Sequence, residues 1–285
     1  MIDTHFTRTF GLLHPYALAP FAPYSDGRLA AAISQAGGLG LVHAGKLTTA
    51  QLDEQFQNTG EDAVGWGVDT ARLAQDPDIL PQLLSYKPRA LLLAGGDPRP
   101  YADRIKAAGV RLICVAQSVE AARHAITAET DIMVALGGAT AGQGSGTRST
   151  FALLPEVANE IYASHAEILL LAAGGICDPR GIAASVIMGA DGVMMGTRLW
   201  ATQEAPISEE QRAAFINLSG DAATVFPSAG NDGQQWRGIG PADKGQPMGE
   251  GVGLINSVPG VEALFTSLTT KSARLMTHIK RKVIS

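Results

Sequence analysis

Short apolar runs alternate with amphipathic stretches along the whole chain. Most of the apolar runs are four to six residues long and lack a two-residue polar alternation, which is typical of parallel strands buried on both faces. Eight such runs, separated by helical patterns, predict a (β/α)8 TIM barrel that occupies residues 1–285 as a single domain. The predicted strands are Tyr16–Ala19, Leu39–His43, Val64–Val68, Ala90–Ala94, Arg111–Val115, Ile132–Leu136, Ile168–Ala172 and Gly192–Met195.

Helix-capping residues support the same alternation. Asp26 precedes an amphipathic stretch and predicts an N-cap. Thr48 and Gln51 have the spacing of a capping box. Asp178 is followed by Pro179, which suits the first position of a helix. Each predicted helix therefore begins shortly after a predicted strand, as βα units require.

Residues 221–250 break this pattern because they are rich in glycine, asparagine, glutamine and proline and show little periodicity. Such a segment predicts a lid-like loop or an excursion from the barrel, and long loops of this kind often carry function. A final amphipathic helix is expected from about residue 261 to residue 282.

Composition narrows the possible partners. The net charge is -5, which argues against nucleic acid or an anionic membrane as partner. No run approaches the ~18 apolar residues of a membrane span. The two cysteines lack metal-ligand spacing and are expected to be reduced and buried. We therefore expect a cytoplasmic protein with a small-molecule substrate, and the possibility of a homo-oligomer stays open.

Two glycine-rich segments carry the candidate chemistry. Gly174 and Gly175 follow the seventh predicted strand, where glycine permits positive φ and close approach of backbone N–H groups to an anion. Gly196 and Thr197 follow the eighth strand and offer backbone and hydroxyl donors. Each pair alone could be a tight turn. Together they favour a phosphate site, which barrels commonly place after these two strands.

These segments belong to a wider resemblance. Over roughly residues 16–205 the sequence resembles the nitronate monooxygenase (2-nitropropane dioxygenase) family, which consists of FMN-dependent barrels related to some bacterial enoyl reductases. The last two motifs are the specific ones. The matching segments are Ala19-Pro20, Leu29-Ala30-Ala31-Ala32, Ala36-Gly37-Gly38-Leu39-Gly40, Thr150-Phe151-Ala152-Leu153-Leu154-Pro155, Ala172-Ala173-Gly174-Gly175-Ile176 and Asp191-Gly192-Val193-Met194-Met195-Gly196-Thr197-Arg198.

The resemblance implies an FMN site with three parts. The phosphate would be held by Gly174, Gly175, Gly196 and Thr197. The ring side would include Ala19, Pro20, Phe21 and Asp69. Gly138 and Gly142, in the loop after the sixth strand, would lie near the flavin.

The sequence departs from the family at the catalytic end. The family loop after strand six reads GxEAGGHxG, and its histidine acts as a base. Here Gly144 stands in the place of that histidine, or Gln143 after a shift of one residue, and an amide cannot take a proton at neutral pH. Ring-side substitutions accompany this change: Phe21 for methionine, Asp69 for asparagine, Leu136 for glutamine and Val115 for a lysine.

The candidate catalytic residues are therefore His43, Asp69 and Gln143. His43 could reach the cofactor or be hydrogen-bonded within its loop, and Asp69 could face the flavin edge or cap the next helix. Arg148 and Arg198 could add charge near the phosphate, although Arg198 could equally point into surface helices.

Three functions remain possible at this point. The first is an FMN-dependent oxidoreductase of the nitronate monooxygenase type that acts on a pre-formed nitronate, since the usual base is missing. The second is an enoyl- or quinone-reductase-like enzyme that uses NAD(P)H as electron donor. The third is a flavin- or phosphate-binding protein without turnover of its own.

Overall fold

The computed structural model describes residues 2–60, 62–144, 147–227, 235–240 and 245–283, and the side chains of 142–144 and 279–283 lie outside this description. The strands are β1 (Tyr16–Leu18), β2 (Leu41–His43), β3 (Gly65–Asp69), β4 (Ala90–Ala94), β5 (Arg111–Ala116), β6 (Ile132–Leu136), β7 (Gly142–Gly144), β8 (Leu169–Ala173), β9 (Gly192–Met195), β10 (Thr224–Pro227), β11 (Gln235–Ile239) and β12 (Gln246–Pro247).

The α-helices alternate with these strands. They are α1 (His5–Phe10), α2 (Gly27–Gln35), α3 (Thr49–Asn58), α4 (Thr70–Gln75), α5 (Ile79–Ser85), α6 (Arg99–Ala107), α7 (Val119–Thr127), α8 (Thr150–Ser164), α9 (Pro179–Ile187), α10 (Thr197–Trp200), α11 (Glu209–Phe215) and α12 (Val261–Val283). None of those that the described residues form is long and apolar enough to cross a membrane.

Eight parallel strands form the barrel in the order β1-β9-β8-β6-β5-β4-β3-β2. Leu39 closes it between β1 and β2: it donates to the Tyr16 carbonyl and accepts from the Leu18 amide, both at 2.9 Å. The predicted (β/α)8 barrel is confirmed, and every predicted strand is found with bounds that differ by no more than two residues. The buried apolar runs were informative because both faces of each strand are covered.

The predicted helix caps form as expected. The Asp26 carboxylate accepts from the Leu29 amide at 2.9 Å, and Thr48 with Gln51 makes a reciprocal capping box. Asp178 accepts from backbone amides in the first turn of α9. Because capping fixes where each helix begins, it also fixes where the preceding strand–helix loop ends at the barrel mouth.

Side-chain alternation along the strands determines which residues reach the mouth. Inward-facing apolar side chains fill the barrel in a cluster that includes Leu41, Leu92, Ile113, Val134 and Leu171, with Phe6 and Phe10 of α1 beneath them. Because successive strand residues point to opposite faces, the next inward position lies two residues further toward the mouth. That uppermost layer contains Ala19, His43, Asp69, Ala94, Val115, Leu136 and Ala173.

The described parts of the segment 221–250, which are residues 221–227, 235–240 and 245–250, form an excursion that packs over the barrel. Strands β10, β11 and β12 pair antiparallel, and β11 also pairs with β7, which comes from the loop after β6. Arg237 connects this second sheet to the loop after β6. Its guanidinium donates to the Ala223 carbonyl at 2.9 Å and to the Gly138 carbonyl at 3.3 Å. The same guanidinium forms an ion pair with Glu250 at 2.8 Å. The excursion therefore holds the strand-six loop in an extended, paired conformation.

Candidate active site

One cavity opens at the C-terminal mouth of the barrel and brings most of the predicted site together. It is lined by the predicted residues Ala19, Pro20, Phe21, His43, Asp69, Gly174, Gly175, Gly196 and Thr197. Gly138 lines an adjoining cleft, and Gly142 lies in β7 opposite Arg237. Gln143 also lies in β7, and its side chain is outside the described residues.

The loop after β8 is built so that only glycine fits. Gly174 has a φ of +100°, and a Cβ there would lie 2.6 Å from the Gly137 carbonyl oxygen. Gly175 has a φ of +75° and would contact only the Ala139 side chain. Thr150 fixes this loop by donating its hydroxyl to the Gly174 carbonyl at 2.8 Å. The amides of Gly175 and Ile176 donate to no residue that the structure describes, so they are free to bind an anion.

The end of β9 lies opposite the loop after β8, and we call Gly174, Gly175, Gly196 and Thr197 together the glycine cradle. A Cβ on Gly196 would lie 2.8 Å from the Trp200 ring, which leaves no room for a larger residue. The Thr197 hydroxyl accepts from the Gly249 amide at 3.0 Å, and this contact brings the excursion onto the glycine loops after β8 and β9. The Thr197 amide makes no hydrogen bond within the described part of the chain.

The two candidate arginines do not reach the cavity lining. Arg198 is buried and donates to the carbonyls of Ala201 and Ser257, at 2.8 and 2.9 Å. Its side chain therefore points away from the cavity and supplies no charge to its lining. Arg148 forms an ion pair with Glu156 beside the adjoining cleft. The described lining contains no lysine or arginine, so a phosphate there would depend on backbone N–H groups.

Aromatic side chains form the wall next to the loop after β1. Phe21 lies 5.8 Å from Trp200 between ring centroids, and Trp200 stacks on Tyr24 at 4.6 Å. The ring of Pro20 fills the inward side of β3, where a Cβ on Gly67 would come within 2.2 Å of it. This close approach fixes the Ala19-Pro20-Phe21 turn at the rim.

Titratable groups are few in this cavity. Among its described lining residues only His43, Asp69 and Cys177 can exchange a proton. Burial raises the pKa of the Cys177 thiol to about 12, so it stays protonated at neutral pH. The usable proton-transfer groups are therefore His43 and Asp69, at the ends of the neighbouring strands β2 and β3.

The imidazole of His43 is held in a defined position. A Cβ on Gly45 would lie 1.9 Å from its Nε2 atom, so glycine is needed to accommodate the ring. Burial lowers the pKa of His43, while the negative charge of Asp69 and a hydrogen bond with the Pro20 backbone oppose that shift. Asp69 is exposed to the cavity, yet its desolvation at the mouth raises its pKa, and the charge of His43 opposes that increase.

The opposite wall of the cavity is apolar. Ala94, Val115 and Leu136 supply the inward residues at the ends of β4, β5 and β6. Val115 and Leu136 are two of the positions at which the sequence departs from the family pattern. Their side chains can neither transfer a proton nor bind a charged group, so this wall favours an apolar part of a substrate.

The sequence did not identify the covering residues Gly249 and Gly251. A Cβ on Gly251 would lie 2.5 Å from the Cys177 sulfur and 3.0 Å from the Gly175 carbonyl oxygen. A Cβ on Gly249 would lie 2.9 Å from the Ala139 carbonyl oxygen. Two glycines flanking Glu250 in a polar segment were the only signal, and a single sequence does not show that they meet the glycine loops of the barrel.

Comparison with known proteins agrees with this geometry. Residues 67–241, more than half of the chain, match the family model described as nitronate monooxygenase. The chain belongs to the nitronate monooxygenase family. The resemblance found in the sequence is thus confirmed, and the family is one of oxidoreductases.

Two curated relatives from this comparison carry different names. A protein from Rhodococcus jostii named (3aS,4S,5R,7aS)-5-hydroxy-7a-methyl-1-oxo-octahydro-1H-indene-4-carboxyl-CoA dehydrogenase is 30% identical over 75% of this chain, which spans 60% of the length of that protein. A "Probable nitronate monooxygenase" from Staphylococcus aureus is 29% identical over 82% of this chain and 77% of its own. The family thus includes relatives named for different reactions.

Solved structures share the fold. FabK from Thermotoga maritima superposes with a TM-score of 0.90 at 22% identity and covers 99% of this chain and 100% of its own. Nitroalkane oxidase from Streptomyces ansochromogenes gives a TM-score of 0.79 at 21% identity, over 96% of this chain and 99% of its own. At such identities the likeness shows the barrel architecture alone.

Proposed function

We propose that the protein is an FMN-dependent oxidoreductase whose flavin lies across the barrel mouth. The observation that carries this proposal is a single cavity that joins the glycine cradle of β8 and β9 to the Ala19-Pro20-Phe21 turn. Gly175, Ile176 and Thr197 would hold the phosphate through their amides, and Phe21 and Asp69 would lie beside the ring. FMN, when bound, supplies two-electron chemistry, and the protein supplies position and electrostatics.

The substrate would occupy the apolar half of the cavity. Ala94, Val115 and Leu136 exclude water and offer no charge, while the excursion covers the phosphate loops through Gly249. In the nitronate monooxygenase reaction the loop after β6 would contribute no base, because Gly144 occupies the place of the family histidine. We therefore expect activity on a pre-formed nitronate to exceed activity on the neutral nitroalkane, which a comparison of kcat/KM for the two forms would test.

The apolar wall also favours a second candidate function. An NAD(P)H-dependent reductase for an enoyl or quinone acceptor needs an apolar surface for a conjugated substrate and no base that abstracts a proton from carbon. The Rhodococcus jostii relative is named for a carboxyl-CoA dehydrogenase, and here a cleft that shares Gly174 and Gly175 with the cavity adjoins it. This cleft would give an extended substrate room beyond the barrel mouth.

A visible spectrum with an anaerobic NADH or NADPH titration separates these hypotheses. The purified protein should show a flavin spectrum, and mass analysis of the heat-released ligand should identify FMN. Bleaching by either nucleotide supports the reductase. A flavin that neither nucleotide reduces, but that supports nitronate oxidation, supports the monooxygenase. Bound flavin with neither activity would indicate a binding protein, and failure to bind flavin after reconstitution would reject the proposal.

A further inference from the structure

The uppermost inward layer of the barrel is uneven in its chemistry. On β4, β5 and β6 it consists of Ala94, Val115 and Leu136, which cannot exchange protons. On β2 and β3 it consists of His43 and Asp69. All the proton-transfer capacity of this layer is therefore concentrated on two neighbouring strands, away from the loop after β6.

Strand register places His43 and Asp69 on the same side of the sheet. His43 lies opposite Gly67 in the parallel pairing of β2 with β3, and Asp69 is two residues further toward the mouth. Two residues is one full period of the strand, so the Asp69 side chain points inward, as Gly67 does. Gly67 contributes no side chain to this part of the layer, where the Pro20 ring lies instead. Among the described residues no direct hydrogen bond or ion pair joins His43 to Asp69, so a proton would pass between them through water.

Among the described residues that line the cavity, no other charged group lies beside the pair. The loop after β1 contributes Ala19, Pro20 and Phe21, and β4 contributes Ala94, none of which titrates. Each group is the charged neighbour that opposes the desolvation of the other. The charge of each residue therefore influences the pKa of the other.

We propose that His43 and Asp69 form the proton-transfer pair of this oxidoreductase, with Asp69 as the proton donor to the reduced substrate and His43 as the group that returns the proton. This inference rests on the second candidate function, the NAD(P)H-dependent reductase, and adds to it the route of the proton. Reduction of a quinone to a hydroquinone takes up two electrons and two protons. A nicotinamide nucleotide supplies both electrons and one proton as hydride, and the second proton must come from water through the protein.

In this step the O–H bond of the Asp69 carboxyl breaks as an O–H bond forms on the acceptor. His43 then passes a proton from water to the Asp69 carboxylate. A carboxyl whose pKa is raised by its surroundings keeps its proton nearer to neutral pH and is a better donor there. The acceptor takes its electrons through the flavin, so only the proton depends on this pair.

Kinetics with two acceptors test the role of Asp69. Menadione requires protons on reduction, whereas ferricyanide takes electrons alone. We expect Asp69→Asn, which introduces the asparagine usual in the family, to lower kcat/KM for menadione by about 100-fold, the scale of general acid catalysis. The same variant should lose much less kcat/KM for ferricyanide. In the wild type, the rate of menadione reduction should fall as pH rises, because Asp69 loses its proton. This decrease with pH should be absent in Asp69→Asn. The matched control is Asp103→Asn on the exposed surface of α6, which should not change either rate.

A measurement without turnover tests the coupling itself. NMR titration of the six histidines, with His43 assigned from His43→Gln, should give a pKa for His43 below 6.5 in the wild type. Asp69→Asn should lower that pKa further, because the negative charge that favours the imidazolium is removed. An unchanged pKa would overturn the pair, as would equal losses for menadione and ferricyanide. Failure of the reductase function would appear separately, as a wild-type protein without flavin or with a flavin that neither NADH nor NADPH bleaches.

Discussion

At the ends of β8 and β9 the cavity wall is backbone, whereas at the ends of β2 and β3 it is side chain. The first region uses Gly174, Gly175 and Gly196, and a Cβ at two of these positions would come within 3 Å of a neighbour. The second region uses His43 and Asp69, which lie among residues that carry no charge. The first offers backbone amides that suit an anion, and the second offers groups that can exchange protons.

This difference explains how one family supports several reactions. If the amides of the glycine side hold a phosphate, as we propose, they need fixed positions, and this side would tolerate few substitutions without loss of the cofactor. The chemistry on the substrate depends on side chains that can change one at a time. In this chain the strand-six loop has become the edge strand β7 of a second sheet, and the titratable groups lie on the other side of the mouth.

The largest expected effect comes from closing the glycine cradle. Gly175→Val places a β-branched residue at a φ of +75°, beside amides that would hold the phosphate. We expect FMN affinity, measured by fluorescence titration, to fall at least ~10-fold, or ~1.4 kcal/mol. Gly189→Val is the control, because Gly189 has a φ of +102° and lies outside the cavity lining. It should lose stability but keep its flavin affinity, and equal affinity losses in the two variants would place the phosphate elsewhere.

A smaller effect is expected where the excursion meets the cradle. Thr197→Val removes the hydroxyl that accepts from the Gly249 amide and should lower the free energy of unfolding by about 1 kcal/mol. For a domain of this size that corresponds to a decrease of about 2 °C in Tm. Thr197→Ser keeps the acceptor and should behave like the wild type. Identical melting of both variants would show that the contact does not stabilise the excursion.

The smallest effect concerns stability on the titratable side. Because the pKa of Asp69 is raised on folding, the folded protein binds this proton more tightly than the unfolded chain. The stabilisation that Asp69 gives to the folded state is therefore present at low pH. It is lost as pH rises from the ordinary pKa of 3.8 through the raised pKa of the folded protein. Asp69→Asn removes that loss, so we expect its Tm to exceed that of the wild type by about 1–2 °C at pH 8. At pH 4 the difference should be smaller, and the reverse order would contradict a raised pKa.

Much of this architecture could be predicted from the sequence. The strands were visible because both faces of each are apolar, and the glycine loops because their residues follow those strands directly. The pairing of β7 with β11 was not predictable, since these short segments, far apart in the sequence, show no hydrophobic alternation. The adjacency of His43 and Asp69 also depends on register, because a shift of one residue would turn either side chain away from the barrel.

The most direct test of the central claim is to compare FMN with riboflavin in fluorescence titrations of the flavin-free protein. The two ligands share the ring and differ in the phosphate, so their affinity ratio isolates the glycine cradle. We predict that FMN binds at least ~10-fold more tightly than riboflavin, and that Gly175→Val reduces this ratio toward one. Equal affinities for FMN and riboflavin in the wild type would contradict the account, because they would show that the amides of Gly175, Ile176 and Thr197 do not hold the phosphate.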